Sequence, residues 1–596
     1  MSERALSILA GPSRKLPNRR AHEIFEEQVR ARPETIAAVH GASQLTYAEL
    51  NARANQVARA LLARGLKREG VVGVKTERNL EWLTAVLAVF KAGGVYLPIE
   101  PHFPAERVAK MLARSGATLV LTEPTITAAC EAGHADSDLG VAVTPDQLAY
   151  IYFTSGSTGE PKGAMCEHLG FLNHLFAKID DLQIGEGTVV AQTAPQCFDI
   201  SLWQLMAALL AGGRVVIVEQ ETILDAERFL ERIVAGRVNV VQVVPSYLEV
   251  LVTNLAQRPR GLEPLRYVVA TGEALKKELV ERWFAVQPRI KLVNAYGLTE
   301  TSDDTNHEIM DRPPSGERVP LGRPINNVLI YVLDEELAPV PLGEAGEIVF
   351  SGVCVGRGYI NDPDRTRSAF LPDPHRPGGR LYRSGDYGRS LPDGKLEFIG
   401  RRDSQVKISG FRIEIGEIES ALVRLPGVRD GAVVVSNKQL VAFYVGEEPL
   451  DPTVLGRKLG EWLPTYMVPA AFHWRVSLPL TDNGKTDRKA LAALAAELVV
   501  ADEERETPST PTEQWLAGAW ADVLGISKEQ VGRRDNFFDL GGTSLSALKL
   551  VIATGRAVTF KDLTAHPSLA DLAAVLDQRG VGVPVFNGSS HAHCGT

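Results

Sequence analysis

The sequence predicts a multidomain protein: a large α/β domain, a small α+β domain and a small all-α helical bundle. Three observations lead there. A chain of 596 residues is too long for one folding unit. Through roughly the first 400 residues, helical periodicity alternates with short apolar runs, the pattern of largely parallel sheets covered by helices. Finally, the acidic and then Thr/Pro-rich stretch ADEERETPSTPTEQW (501–515) has no apolar periodicity and reads as a solvated linker.

In chain order, LNARANQVARALLARGL (50–66) carries apolar positions at helical spacing and leads into the β-branched run VVGVK (71–75). RVVIV (214–218) and VNVVQVV (238–244) read as buried strands, and GAVVVS (431–436) and LVAFYV (440–445) suit a smaller α+β unit. After the linker, TEQWLAGAWADVLG, SLSALKLVIATG and DLAAVLDQ are amphipathic helices. The expected domains are 15–401, 402–495, a linker at 496–510, a helical domain at 511–580 and a disordered tail at 581–596. In that tail His591, His593 and Cys594 read as a frayed end rather than a metal cluster. No internal repeat is visible.

Composition narrows the function classes. The chain has 64 Lys+Arg against 73 Asp+Glu, a net charge of −9, which gives no sign of a nucleic-acid or membrane-surface binder. No apolar run approaches the ~18 residues of a membrane span, and the N-terminal stretch lacks the flanks of a secretory signal. Five scattered cysteines without CxxC read as reduced thiols. A cytoplasmic protein is expected.

The most informative stretch is YIYFTSGSTGEPKG (150–163). A β-rich run ends in a loop of Thr154, Ser155, Gly156, Ser157, Thr158 and Gly159, closed by Lys162. Glycines let backbone N–H groups approach phosphate oxygens, hydroxyls add donors and the lysine adds charge. A Walker A loop is excluded, because Pro161 stands where its second glycine belongs and Gly163 follows the lysine.

Further motifs follow in order: LTYAEL (45–50), KAGGVYLPIEPHFPAERV (91–108), FDIS (198–201), NAYGLTE (294–300), GEIVFSGVCVGRGYINDPDRT (346–366), YRSGD (382–386), GRRDSQVKISGFRIEIGEIE (400–419), LPTYMVP (463–469) and NGKTDR (483–488). With the loop, they resemble the adenylate-forming superfamily, and within it the adenylation domains of nonribosomal peptide synthetases, over about residues 20–490. The resemblance implies joining of a carboxylate to the α-phosphate of ATP with release of pyrophosphate. Two anions repel, so cations must neutralise both while holding them in line.

By the same resemblance, Lys485 bridges carboxylate and phosphate, Glu300 holds Mg²⁺, a hard oxygen for a hard ion, and Thr299 touches the α-phosphate. The 154–162 loop holds the β- and γ-phosphates. Asn294 reads the adenine amine, Tyr296 stacks on the ring, Asp386 accepts the ribose hydroxyls, and Phe398 and Arg401 complete the nucleotide site. Asp403 is the implied hinge about which the small C-terminal domain swings, exchanging Lys485 for the turn near Gly410.

DNFFDLGGTSLSALKL (535–550) resembles the peptidyl-carrier motif, and Ser544 would carry 4′-phosphopantetheine attached by a phosphopantetheinyl transferase. As bare sequence, GGTS is also a good helix N-cap. AVTFKDLTAHPSL (557–569) fits the same family, and the segment before it looks slightly short.

For the substrate, the resemblance assigns Asp199 to the α-ammonium of an α-amino acid. Losing one side of such a buried pair costs about 3–5 kcal/mol, roughly 10²-fold or more. The implied side-chain walls are Ile200, Trp203, Gln242, Val269, Thr271, Ala295, Asp303 and Asp304. Two adjacent acids are expensive to bury unpaired, so a cationic substrate is expected, arginine or an arginine-derived cyclic guanidine first, with ornithine or lysine, glutamine and serine as alternatives. The neutral substrates gain if Asp303 points to solvent.

The expected protein is a free-standing adenylation–carrier didomain whose aminoacyl thioester goes to a separate condensation or tailoring enzyme. The sequence gives no decisive sign of an MbtH-like helper. A stand-alone acyl-CoA ligase is the alternative opposed by Asp199 and Ser544, and a non-catalytic scaffold the one opposed by Lys485, Glu300 and Asp386.

Overall fold

Continuous apolar runs four residues long, bounded by polar turns, become strands buried on both faces. The computed structural model describes residues 5–156, 160–401, 405–408, 410–436, 439–479, 486–498, 506–538, 540 and 542–580. They form two compact units, Met1–Pro426 with Thr453–Val468, and Gly427–Pro452 with Pro469–Thr596.

The first unit contains three large sheets. In a nine-stranded sheet, Lys291–Leu298, Tyr267–Ala270, Val240–Val243, Val189–Gln192, Arg214–Ile217 and Ile36–His40 run parallel. Antiparallel strands close both edges, Asp303–Met310 and Arg323–Pro324 on one side and Ser43–Thr46 on the other. A six-stranded sheet is built on parallel Leu119–Thr122, Val71–Lys75, Val95–Pro98 and Leu148–Thr154, with Lys162–Glu167 and Gly358–Tyr359 antiparallel beyond them. A third, antiparallel sheet centres on Val328–Leu333, Ala345–Gly352 and Arg380–Ser390. The helix expected near 50–66 runs Tyr47–Ala63; Thr46 and Glu49 form its capping box. The helices Leu80–Lys91 and Ile200–Leu210 are apolar on nearly every face because they pack inside the first unit's core, around Trp82 and Trp203.

Residues 405–408 and 410–426, which follow the domain limit expected at 402, fall within this first compact unit. The hairpin Gln405–Ile408/Phe411–Glu414 and the helix Ile415–Val423 bond to Ser155 and Gly156, as set out below.

In the second unit, Asp430–Ser436 pairs antiparallel with Gln439–Val445, which pairs parallel with Ala471–Arg475. The helix Arg488–Leu498 packs Leu491 and Ala495 on Val434 and Phe443. It therefore occupies the first residues of the expected linker. The C-terminal bundle comprises Pro511–Leu524, Ser544–Ala553, Phe560–Ala565 and Leu569–Gln578 around Trp520, Phe537, Leu550 and Leu572. The tail expected to be disordered, with His591, His593 and Cys594, lies outside the described residues. No helix among the described residues is long and apolar enough to cross a membrane.

Candidate active site

A cavity of about 1030 Å³ opens in the first unit at the carboxyl ends of parallel strands, where open α/β sheets place their ligands. Its walls include Thr154, Ser155, Asp199, Ile200, Gln242, Thr271, Asn294, Ala295, Tyr296, Thr299, Asp303, Asp304, Asp386, Phe398 and Arg401. Most of the expected site residues therefore converge on one space. Gly156, Lys162 and Glu300 lie just behind the wall. Trp203 and Val269 are fully buried and do not line the cavity. Ser157, Thr158, Gly159, Asp403 and Lys485 lie outside the described residues.

At one end, the strand Leu148–Thr154 and its neighbour bring Thr154 opposite Lys162. Glu300 sits in the 3₁₀ turn Thr299–Thr301, fully buried. Its carboxylate accepts from Arg412 Nη1 at 2.8 Å and from the Tyr359 hydroxyl at 2.8 Å, and Lys162 Nζ stands 3.6 Å away. Burial opposes ionisation, but Arg412 and Lys162 overcome it and hold Glu300 well below the usual carboxylate range. Lys162 is pushed down by burial and by Arg412. The Ser155 hydroxyl donates to Arg412 O at 2.8 Å, Glu414 N donates back to Ser155 Oγ at 3.0 Å, and Gly156 N donates to Glu417 at 3.1 Å. Asp386 accepts from the Tyr296 hydroxyl and from Arg401 Nη1, each at 2.5 Å. Asn294 Nδ2 donates to Pro320 O at 2.7 Å.

Asp199 caps the helix Ile200–Leu210, with Oδ1 accepting from Ile200 N at 3.0 Å. Burial pushes its carboxyl up to about 6. Oδ2 makes no hydrogen bond among the described residues.

The opposite wall is shaped by an irregularity. The pairing of Lys291–Leu298 with Asp303–Met310 shifts register between Tyr296 and Gly297. Ser302 and Asp303 then take positive φ of 56° and 84°, conformations that non-glycine residues adopt at a cost. A Cβ on Gly297 would sit 2.0 Å from Asp303 O, so glycine is required for this close approach.

That bulge delivers Asp304 onto the ammonium of Lys178, 2.6 Å away and fully buried. Lys178 also donates to His307 Nε2 at 2.9 Å and lies 4.9 Å from the centre of the Trp203 ring. Because an ammonium only donates, His307 Nε2 accepts and Nδ1–H is left to donate to Asp181 at 2.7 Å. Burial would raise Asp304, yet the Lys178 ammonium holds it below its ordinary range. Burial, with Asp304 and Asp199 nearby, pushes Asp303 well above its own. His174 Nδ1 is 3.5 Å from Asp303, and His174, Asp303 and Asp304 could together surround a cation. Of these three, Asp304 already pairs with the Lys178 ammonium.

This changes the electrostatic premise drawn from sequence. The acid pair does not wait unpaired for a substrate cation, since Asp304 receives one from the fold. Sequence reasoning missed Lys178, which carries no signal beyond its place in a helical pattern. Arg412 and Tyr359 were also missed, although both stand inside quoted motifs.

In the bundle, Thr543 is the N-cap of the helix Ser544–Ala553, accepting from Ser546 N at 3.2 Å, while Thr543 N donates to Ser546 Oγ at 2.7 Å. The cap role is thus filled by Thr543, and Ser544 is the first helical residue. Gly542 packs on Phe537, where a Cβ would come within 2.2 Å of the ring. The helix is 10 residues long, and Gly555 and Arg556, both at positive φ, turn the chain directly after it.

Residues 25–360 match the AMP-binding enzyme family, 417–485 its C-terminal domain and 514–576 the phosphopantetheine attachment site. The chain belongs to the adenylate-forming AMP-binding enzymes. Its adenylation domain is followed by a carrier domain, as in nonribosomal peptide synthetases. It is 36% identical over 577 residues to tyrocidine synthase 1 of Brevibacillus parabrevis, covering 93% of this chain and 52% of that protein. It is 36% identical over 579 residues to bacitracin synthase 2 of Bacillus licheniformis, covering 92% of this chain and 22% of that one. The chain thus spans about a fifth to a half of these relatives. Among solved structures, holo-PA1221, a nonribosomal peptide synthetase protein with adenylation and carrier domains, superposes with a TM-score of 0.79 at 29% identity, covering 94% of this chain and 97% of that one.

Proposed function

We propose that this adenylation–carrier chain activates an α-amino acid and loads it on its own carrier domain. A carboxylate oxygen attacks the α-phosphorus of ATP, the bond to pyrophosphate breaks, and an aminoacyl adenylate forms. The carrier thiol then attacks the acyl carbon, losing its proton, and AMP departs. The observation that carries this reading is the convergence of Asp199, Thr299 and Asp386 on one cavity.

The residues support distinct tasks. Asp199 holds the α-ammonium. Asp386, already aligned by Tyr296 and Arg401, accepts the ribose hydroxyls, with Asn294 and Phe398 at the base. Thr299 faces the α-phosphate, and the loop from Thr154 to Lys162 the other phosphates. Glu300 is a buried carboxylate kept ionised beside that loop, the donor type a hard divalent ion takes. It would hold Mg²⁺, whose charge would offset that of the phosphates. For Lys485, whose role as carboxylate–phosphate bridge rests on the NGK motif, and for Asp403 as the hinge, support comes from the family resemblance. Ser544 would carry 4′-phosphopantetheine, which supplies the thiol. A phosphopantetheinyl transferase installs it, and a condensation or tailoring enzyme acts on the loaded carrier, with or without an MbtH-like helper. A cytoplasmic location fits these partners.

A cationic substrate such as arginine would have to pair with Asp303, because Asp304 is occupied by Lys178. The test is amino-acid-dependent ATP–pyrophosphate exchange, followed by radiolabelled loading of the phosphopantetheinylated chain. Loading of the wild type and none of Ser544→Ala is expected. Exchange without loading on Ser544, or equal transfer to free coenzyme A, would overturn the carrier step.

A further inference from the structure

A chain of one-way hydrogen bonds runs through the side-chain wall. Thr193 N and Ala194 N donate to Gln204 Oε1 at 2.9 and 3.0 Å. That fixes the Gln204 amide, whose Nε2 donates to Gln242 Oε1 at 2.9 Å. The Trp203 indole N–H, which can only donate, reaches the same oxygen at 2.7 Å. The Gln242 amide therefore cannot flip without facing two donors with its own NH₂. Its Nε2 is left as a fixed, buried donor with no partner among the described residues, on a residue that lines the cavity.

Lys178 fixes the charge of the same wall. Its ammonium is satisfied on three sides, by Asp304, His307 and the Trp203 face. It sits in the helix His168–Asp181, with Phe171, Leu172 and Leu175 buried beside it. It is a resident counter-ion and not a displaceable one.

Resting on the amino-acid activation reading, we propose that Lys178 and the Gln204–Gln242 relay set the substrate class: a neutral amino acid whose side chain both accepts and donates hydrogen bonds, a hydroxyl or a carboxamide, with guanidinium and ammonium side chains rejected. A guanidinium has no acceptor for Gln242 Nε2, and with Lys178 in place the wall offers it only Asp303. An aliphatic side chain would leave the donor unmet. A hydroxyl or carboxamide accepts from Gln242 and donates to Asp303. Lys178 does not line the cavity, so it acts through Asp304 as a positioning residue.

The experiment measures kcat/KM for pyrophosphate exchange with the full chain and an MbtH-like helper. Serine, threonine, asparagine and glutamine are compared with arginine, lysine and ornithine, and with alanine, valine and leucine. The best neutral polar substrate should exceed the best cationic one by about 10²-fold. Lys178→Met frees Asp304 and should raise the cationic-to-neutral ratio at least about tenfold. Gln242→Leu should lower the preference for the polar substrate over its aliphatic counterpart by about tenfold. A wild type that prefers arginine, lysine or ornithine would overturn the proposal and leave activation standing. So would a folded Lys178→Met with an unchanged ratio. If Lys178→Met does not fold, an unchanged polar-to-aliphatic ratio in Gln242→Leu overturns it. No exchange with any amino acid, in protein that binds ATP, would sink activation as well.

Discussion

The two ends of the cavity each bury a carboxylate against a cation, Glu300 with Arg412 at 2.8 Å and Asp304 with Lys178 at 2.6 Å. The pairs look alike but are held differently. Arg412 arrives on a two-stranded ribbon, Gln405–Ile408/Phe411–Glu414, an element that contributes little stability of its own. Lys178 arrives on a fourteen-residue helix whose apolar face is part of the main core. The ribbon is held by hydrogen bonds to Ser155 and by Phe411 against Phe198 and Tyr466, whereas withdrawing Lys178 costs core packing. The Arg412 pair is therefore expected to part more easily than the Lys178 pair.

That contrast can be broken at several points. The largest effect is expected from Glu300→Gln. Removing the charge both cations face should lower pyrophosphate exchange by about 10²- to 10³-fold. Exchange within threefold of wild type would deny Glu300 a part in the chemistry. Thermal melting sharpens the comparison next. Lys178→Ala and Arg412→Ala each leave a buried carboxylate short of a partner, at about 3–5 kcal/mol for a full loss. Lys162 still faces Glu300, so Arg412→Ala should melt nearer the wild type. Mg·ATP should restore it further while leaving Lys178→Ala unrepaired; equal responses would mean the ends do not differ.

A smaller effect concerns pH. Asp199 must be ionised to hold an ammonium, and burial pushes it up to about 6. kcat/KM for the amino acid should therefore fall tenfold per pH unit below that value, and a flat profile down to pH 5 would contradict it. The sign for stability is opposite. A raised carboxyl stabilises the fold below the ordinary carboxylate pKa of about 4, and that contribution is lost as pH rises through about 6. Smallest of all, Tyr359→Phe removes one neutral donor from Glu300 and should change exchange by about threefold to tenfold.

Much of this was legible before folding. The strands 71–75, 214–217 and 240–243 appear where β-branched runs announce them, and Thr154–Lys162, Asp199, Glu300 and Asp386 stand in motifs whose residue types suit phosphate, ammonium and ribose. The residues that were not legible act at long range. Trp203 was read as a wall and is instead the donor behind Gln242. Nor does spacing announce that residues just past 402 bond to a loop some 250 positions earlier, as Ser155 does with Arg412 and Glu414.

Short-range spacing is enough to mark a carrier motif and to suggest a phosphate loop or an ammonium anchor, because such motifs are read within about ten residues. Charge balance works otherwise. Asp303 and Asp304 read as an unpaired acid pair in one dimension, since their cation lies 126 positions away from Asp304 on another element. Coulomb energy depends on distance through space and on the dielectric around it. Packing brought Lys178 to 2.6 Å and buried the pair, and that alone decided that Asp304 is neutralised within the fold.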